Sequence, residues 1–229
     1  MTDLRWQVTE VTHRRVIVYG ASDQGRVDYQ ILKRLSCKIE AFVDDTPGMQ
    51  SPVPGIPICE GIRGIEAFLK TSCMADLGFV VAIGNPYGHI RRKLHGLLKG
   101  IGLFPVSFSD PTALICSTAE YGAGLQTMAA AIVNSYVRMG EQCLVNTRAL
   151  VEHDCVLESG VEIGPGAVLC GRVHVMEDSW IGANATVRPR VSIGANSIVG
   201  AGAVVVSDIP DNAVAVGVPA RVIRENNRK

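Results

Sequence analysis

The stretch Val145-Asn-Thr-Arg-Ala-Leu-Val151-Glu-His-Asp-Cys-Val-Leu157-Glu-Ser-Gly-Val-Glu-Ile163 decides the fold. An apolar residue recurs at every sixth position, and two places before each stands a smaller one: Cys143, Ala149, Cys155, Val161. Extended both ways, this ladder runs through residues 115–205 in sixteen rungs, of which only Thr127 is clearly polar. Glycine often follows the rung, as at Gly122, Gly140, Gly164, Gly182, Gly194 and Gly200. A period of six fits neither a helix, with about 3.6 residues per turn, nor the simple alternation of a half-buried strand. It fits a hexapeptide solenoid, a parallel β-helix in which three hexads close one triangular coil. The rung points inward, the small residue fills the space beside it, and glycine is expected to supply the positive φ of the corners. The ladder makes about five coils, above the roughly three repeats that a shared core requires.

The balance of charge narrows the partners. Lys and Arg together number 22, as do Asp and Glu, so the net charge is zero and no basic run is present. Nucleic acid and anionic membrane surfaces are therefore not expected. No apolar run approaches the roughly 18 residues of a membrane span. Residues 1–14 are charged and lack an apolar core, so they read as an extension and not as a signal peptide. The seven cysteines (Cys37, Cys59, Cys73, Cys116, Cys143, Cys155, Cys170) form no C-x-x-C pair. They read as reduced packing residues of a cytoplasmic protein, Cys143 and Cys155 in the small inward slot of the ladder.

Residues 1–110 read as a separate α/β domain and 111–229 as the solenoid. Arg15-Val-Ile-Val-Tyr19 is a buried strand, followed by Gly20-Ala-Ser-Asp-Gln-Gly25 and a helix over 26–35. Strands are expected at 39–43, 78–83 and 104–108, with helices at 61–69 and 90–99, which gives a small parallel, Rossmann-like sheet. The first turn keeps the outer glycines of a dinucleotide fingerprint, but Ser22 replaces the middle one, which lets backbone approach a pyrophosphate. Asp44 and Asp45 end the second strand, where an acidic residue meets a ribose hydroxyl, and Gly84-Asn85 ends the third on the same carboxyl edge. That edge is where open α/β sheets bind ligands, so a small nucleotide-type ligand is expected; a complete NAD site is not.

Among the five histidines, His13 lies in the extension, and His89 and His95 read as solvated helix positions. His174 precedes a rung and reads as surface. His153 sits at a coil corner with Asp154 directly after it, which suits a general base whose tautomer and basicity a carboxylate sets. An ordinary exposed corner histidine fits the same spacing. Residues eighteen apart stack, so Gly171 lies over His153, and its N–H can serve a developing oxyanion. Ala183 and Ala201 stack on another corner, and two corners meet where prisms pack side by side. Zinc is not expected, because His153 and His174 lie on different faces and the ladder holds no third histidine.

Tyr19-Gly-Ala-Ser-Asp-Gln-Gly25, Phe42-Val-Asp-Asp45, Ala82-Ile-Gly-Asn85, Val145-Asn-Thr147, Val151-Glu-His-Asp-Cys155 and Gly217-Val-Pro-Ala220 occur in this order over nearly the whole chain. Their order and spacing resemble the bacterial nucleotide-sugar acetyltransferases of the left-handed β-helix superfamily, the sialic-acid O-acetyltransferase-like group. The resemblance implies an acetyl-CoA-dependent N-acetyltransferase acting on a nucleotide-linked 4-amino-4,6-dideoxy sugar by direct transfer. His153 would be the base, Asp154 its partner and Gly171 the oxyanion donor. CoA would meet Gly171, Ala183, Ala201, Gly217, Pro219 and Glu162, the last standing where the family commonly has a histidine near the thioester. The nucleotide sugar would rest on Ser22, Gln24, Asp44, Asp45 and Gly84, with Gln24 in place of another family histidine. The family implies a homotrimer with its sites between subunits. O-acetylation of sialic acid or a related sugar, and a catalytically silent binding solenoid, are the competing readings.

Overall fold

The computed structural model describes residues 6–7, 15–71 and 76–227. The expectations for His13 and Cys73, and most of the extension, lie outside these residues. The α/β unit comprises β1 (Arg15–Tyr19), α1 (Asp23–Arg34), β2 (Lys38–Asp44), β3 (Ile58–Glu60), α2 (Gly61–Thr71), β4 (Leu77–Val81), α3 (Gly88–Gly100) and β5 (Phe104–Pro105). The sheet is parallel throughout, in the order β3-β2-β1-β4-β5. Its central strands are unbroken apolar runs because both faces are covered. On one side Val16, Val18, Phe42 and Val80 meet Ile31 and Leu32 of α1. On the other, Ile17, Val43, Phe79 and Val81 meet Ile65, Leu94 and Leu98 of α2 and α3. The edge strand β3, three residues long, was too short to show as a pattern. The strand expected at 104–108 is two strands: Phe104–Pro105 closes the sheet, and Phe108–Ser109 opens the solenoid.

The solenoid is a three-faced prism of two-residue parallel strands, each pairing with the strand eighteen residues on, as Leu144 with Glu162 and Val145 with Ile163. The β-helix is left-handed. The first face holds strands from Leu114–Cys116 to Val204–Val205, and Trp6–Gln7 pairs antiparallel with its first strand. The second runs from Glu120–Tyr121 to Ser192–Ile193. The third runs from Phe108–Ser109 to Ile198–Val199, then adds Ala213–Val216 and the antiparallel Arg221–Glu225. The rungs form one core with the small residues between them, and Thr127 is as buried as its apolar equivalents.

One expectation about the corners is corrected. The glycines that follow rungs do not carry the positive φ. The left-handed position falls three residues after the rung, at Gln142, Arg148, Asp154, Arg172, Asp178 and Asn184 among others. Glycine follows the rung because the next coil passes too close for a side chain. A Cβ on Gly140 would lie 2.6 Å from the Ser159 nitrogen, and one on Gly182 2.6 Å from the Ala201 nitrogen.

The α/β unit docks on the third face and the neighbouring corner. Arg91 of α3, 1% exposed, donates to the carbonyls of Gln142 (3.1 Å), Ile83 (3.1 Å) and Gly160 (2.7 Å) and pairs with Glu162 (3.2 Å). Arg92 clamps Asp178 with two bonds, and Arg34 of α1 pairs with the buried Asp110. His95, expected in solvent, is 4% exposed, and its Nδ1 meets the Gln142 amide at 2.8 Å. The stripe Arg91, Leu94, His95, Leu98 is the face of α3 that packs inward. No helix among the described residues is long and apolar enough to cross a membrane.

Candidate active site

His153 stands on the edge between the first and second faces. Its Nδ1 lies 2.8 Å from Asp154 Oδ2, and both side chains are about half exposed. The left-handed φ of 58° at Asp154 turns the carboxylate toward the preceding ring. The bond to His153 holds the Asp154 carboxyl below its usual range, and Arg172, 3.6 Å away, adds to that pull. With Nδ1 engaged, Nε2 is the free nitrogen. One coil on, Gly171 covers the ring: a Cβ there would lie 2.6 Å from Nε2 and 2.7 Å from Cε1. The stacking expected from the eighteen-residue period is thus the observed one.

Ala183 and Ala201 stack on a different edge, between the third and first faces, linked by the Gly202 N–H to Ala183 O bond of 2.8 Å. The turn containing Gly217 and Pro219 folds onto the end of the first face through the Val204 N–H to Gly217 O bond of 3.0 Å. Ala183 also lines an open groove of about 590 Å³ with Arg148, Pro165 and Asn184. The N–H groups of Gly171, Ala183 and Ala201 have no partner among the described residues. Those of Thr147 and His153, at equivalent corner positions, are taken up by Asn146 and Glu152 side chains. Free backbone donors on an edge suit a ligand rich in carbonyl, amide or phosphate oxygens.

Glu162, expected near CoA, does not sit with these residues in the chain. It is 1% exposed, on the third face, bonded to Arg91 and to Asn85 Nδ2 at 3.2 Å. Burial holds its carboxyl above the usual range although Arg91 pulls the other way.

Ser22, Gln24, Asp44, Asp45 and Gly84 do come together. They line a pocket of about 480 Å³ at the carboxyl ends of β1, β2 and β4, with Tyr19, Gly20 and Asn85. The sheet order reverses between β1 and β4, which is where open α/β sheets leave a crevice. Gly20 has φ +112°, and a Cβ there would strike the Ala82 carbonyl. Asp44 accepts from the N–H groups of Ala21 and Thr46, each at 2.9 Å. Burial works against its ionisation, but these bonds outweigh it and the carboxyl titrates below its usual range. The Tyr19 hydroxyl donates to Asp45 at 2.8 Å.

Cys59, Cys116, Cys143, Cys155 and Cys170 carry free thiols, and all but the half-buried Cys170 are buried. Burial pushes the thiols of Cys143 and Cys155 up to about 12 and about 11, so neither is a nucleophile at neutral pH. His174 is half-buried, 2.8 Å from Glu158.

A Rossmann-like unit with a crevice at its switch point, fused to a β-helix whose edges carry free backbone donors and a His–Asp pair, defines a hexapeptide-type transferase. The family model described as the PglD N-terminal domain matches residues 15–96, and that of the bacterial transferase hexapeptide (six repeats) matches 172–207. A histidine-to-alanine variant of GDP-perosamine N-acetyl transferase from Caulobacter crescentus, solved with CoA and GDP-perosamine, is 30% identical. That match covers 95% of this chain and 100% of the other, with a TM-score of 0.85. The acetyltransferase domain of PglB from Neisseria gonorrhoeae, solved with acetyl coenzyme A, is also 30% identical, over 92% and 100%, with a TM-score of 0.81. Galactoside O-acetyltransferase from Escherichia coli is 58% identical over 55 residues, 24% of this chain. The chain spans 27% of the length of that relative, and 30% of that of its Lactococcus lactis counterpart. The chain belongs to the bacterial hexapeptide sugar acetyltransferase family.

Proposed function

We propose that the protein is an acetyl-CoA-dependent N-acetyltransferase acting on a nucleotide-linked amino sugar. The observation that carries this reading is the His153–Asp154 pair packed beneath Gly171. The unprotonated sugar amine attacks the thioester carbonyl while His153 Nε2 takes the amine proton. Asp154 fixes the tautomer with its bond to Nδ1 and favours the imidazolium that forms. The Gly171 N–H stabilises the oxyanion, the C–S bond then breaks, and CoA leaves with a proton while the amide remains. No acyl-enzyme is formed. The unpartnered amides of Ala183 and Ala201 hold CoA beside the Gly217–Pro219 turn, and the pocket over Asp44 and Asp45 holds the nucleotide sugar. Residues 1–110 thus bind the acceptor, 111–229 hold acetyl-CoA, and the working form is a cytoplasmic homotrimer.

A second reading, transfer to a sugar hydroxyl, is favoured by the match to galactoside O-acetyltransferase within the solenoid. Free-thiol release from acetyl-CoA, measured against UDP-, GDP- and dTDP-linked amino sugars, sialic acid and galactosides, separates the readings. Turnover on an amino-sugar nucleotide, lost in His153→Ala with CoA binding kept, is the expected result. Turnover only on a hydroxyl acceptor overturns N-acetylation. No turnover together with no CoA binding overturns the enzyme altogether.

A further inference from the structure

Two amide side chains line the α/β pocket, and each is held from behind by a buried carboxyl group. Gln24 Nε2 donates to Asp28 Oδ1 at 2.8 Å, and Asn85 Nδ2 donates to Glu162 Oε1 at 3.2 Å. Asp28 is 0% and Glu162 1% exposed. A carboxyl oxygen that accepts from the NH₂ end of an amide leaves the carbonyl end for the other side. Gln24 Oε1 has no hydrogen-bond partner among the described residues and lies 3.7 Å from where a Cβ on Gly84 would stand, at the pocket wall. Asn85 Oδ1 is likewise unpartnered among them. The charged groups of the lining are Asp23, Asp44 and Asp45, with no Lys, Arg or His. The Tyr19 hydroxyl already gives its proton to Asp45. Apart from the Ser22 and Tyr87 hydroxyls, the polar side chains of the lining therefore accept.

Asp28 is also expensive to keep. Burial pushes its carboxyl up to about 8, against the pull of Gln24 and Arg91, and its Oδ2 has no partner. An apolar residue would serve the helix better at that place unless the carboxyl has a task.

We propose that Asp28 and Glu162 are positioning residues that hold Gln24 and Asn85 with their oxygens toward the pocket, so that it selects the hydroxyl- and amine-bearing ring of the ligand and leaves the anionic diphosphate outside. This rests on the nucleotide-amino-sugar reading above. The ring is either the amino sugar or the ribose, and both present O–H or N–H donors to the same oxygens.

The test uses the full chain and the amino-sugar nucleotide on which it turns over. Asp28→Asn puts an amide where the carboxyl stood, and because its NH₂ end can hold the Gln24 oxygen, Gln24 is no longer fixed in one orientation. The KM for the acceptor should rise about tenfold, the scale of one hydrogen bond, with the KM for acetyl-CoA unchanged. Gln24→Leu should produce the same split. Adding Asp28→Asn to Gln24→Leu should change nothing more, because Asp28 acts through Gln24; a merely structural role would still show. Titrations with the bare nucleoside diphosphate assign the ring. Weakened binding of the complete sugar nucleotide alone supports the amino sugar, and equal weakening of both supports the ribose. An unchanged acceptor KM in Asp28→Asn, or additive effects in the double variant, overturns the proposal. Absence of wild-type turnover on every amino-sugar nucleotide would instead overturn the function itself.

Discussion

Replacing Gly171 by alanine tests the proposed reaction centre with one methyl group. The new Cβ would stand 2.6 Å from His153 Nε2 and 2.7 Å from Cε1. Ordinary contact needs about 3.5 Å, so the ring must retreat by roughly 1 Å. The coil above is backbone and cannot yield, whereas the imidazole is about half exposed and can swing outward. Swinging stretches the 2.8 Å bond to Asp154 and carries Nε2 away from the place where the proposed mechanism puts the amine. A misplacement of about 1 Å costs on the order of a hundredfold in rate, or about 2.7 kcal/mol of barrier. The fold should hardly notice. Gly171 has no left-handed φ, so alanine is conformationally acceptable there and can even stabilise by a few tenths of a kcal/mol. The expected result is a kcat about a hundredfold lower, with an unchanged melting temperature and CoA affinity. A Gly171→Ala enzyme with wild-type kcat would refute the placement of catalysis at this corner.

His153→Asn should lower kcat by roughly two to four orders of magnitude and leave the melting curve in place, while Asp154→Asn, tolerable at a left-handed φ, should cost less. Arg91→Met leaves the buried Glu162 without its cation and should cost about 3–5 kcal/mol in chemical denaturation, whereas Arg91→Met with Glu162→Met should recover most of the loss. Burial lowers the native pKa of His95, so the unfolded chain takes up its proton first as pH falls. Stability from this group is therefore full above about 6.5 and declines as pH drops toward the lowered native value, and a denaturation series in which His95→Gln is as pH-dependent as wild type would contradict it.

The ladder was legible because each rung stacks on another at a fixed offset of eighteen, so the sequence itself carries the register. The five pocket residues were legible for a similar reason: the ends of parallel strands lie side by side. The corner residues in left-handed conformation were not, since Arg148, Asp154 and Arg172 look like any polar loop residue, and the cost of their φ is met by coil stacking. The docking seam was overlooked because Arg91 and His95 are polar, yet they continue the apolar stripe of Leu94 and Leu98 at spacings of three and four. Asp28 could have been found in the same way, one turn before the buried Ile31 and Leu32. The burial of Glu162 under α3 was not legible, because a position in the ladder fixes the face but does not say which unit covers that face.

The three parts of the proposed reaction stand on different sides of one prism. The His153 corner lies between the first and second faces, the Ala183–Ala201 edge between the third and first, and the sugar pocket beside the third. Direct transfer needs the amine and thioester within about 3–3.5 Å of each other. Side-by-side copies bring different edges together, so a centre shared between subunits meets that requirement where one chain does not. Complementation measures this. His153→Asn and Asp45→Lys, each inactive alone, are unfolded, mixed in equal amounts and refolded together. If the His corner and the pocket of one centre come from different chains, about a quarter of the sites in random oligomers are intact, and activity returns to about that fraction of wild type. Mixed oligomers that form and stay inactive would refute the shared centre and require every site to be built from a single chain.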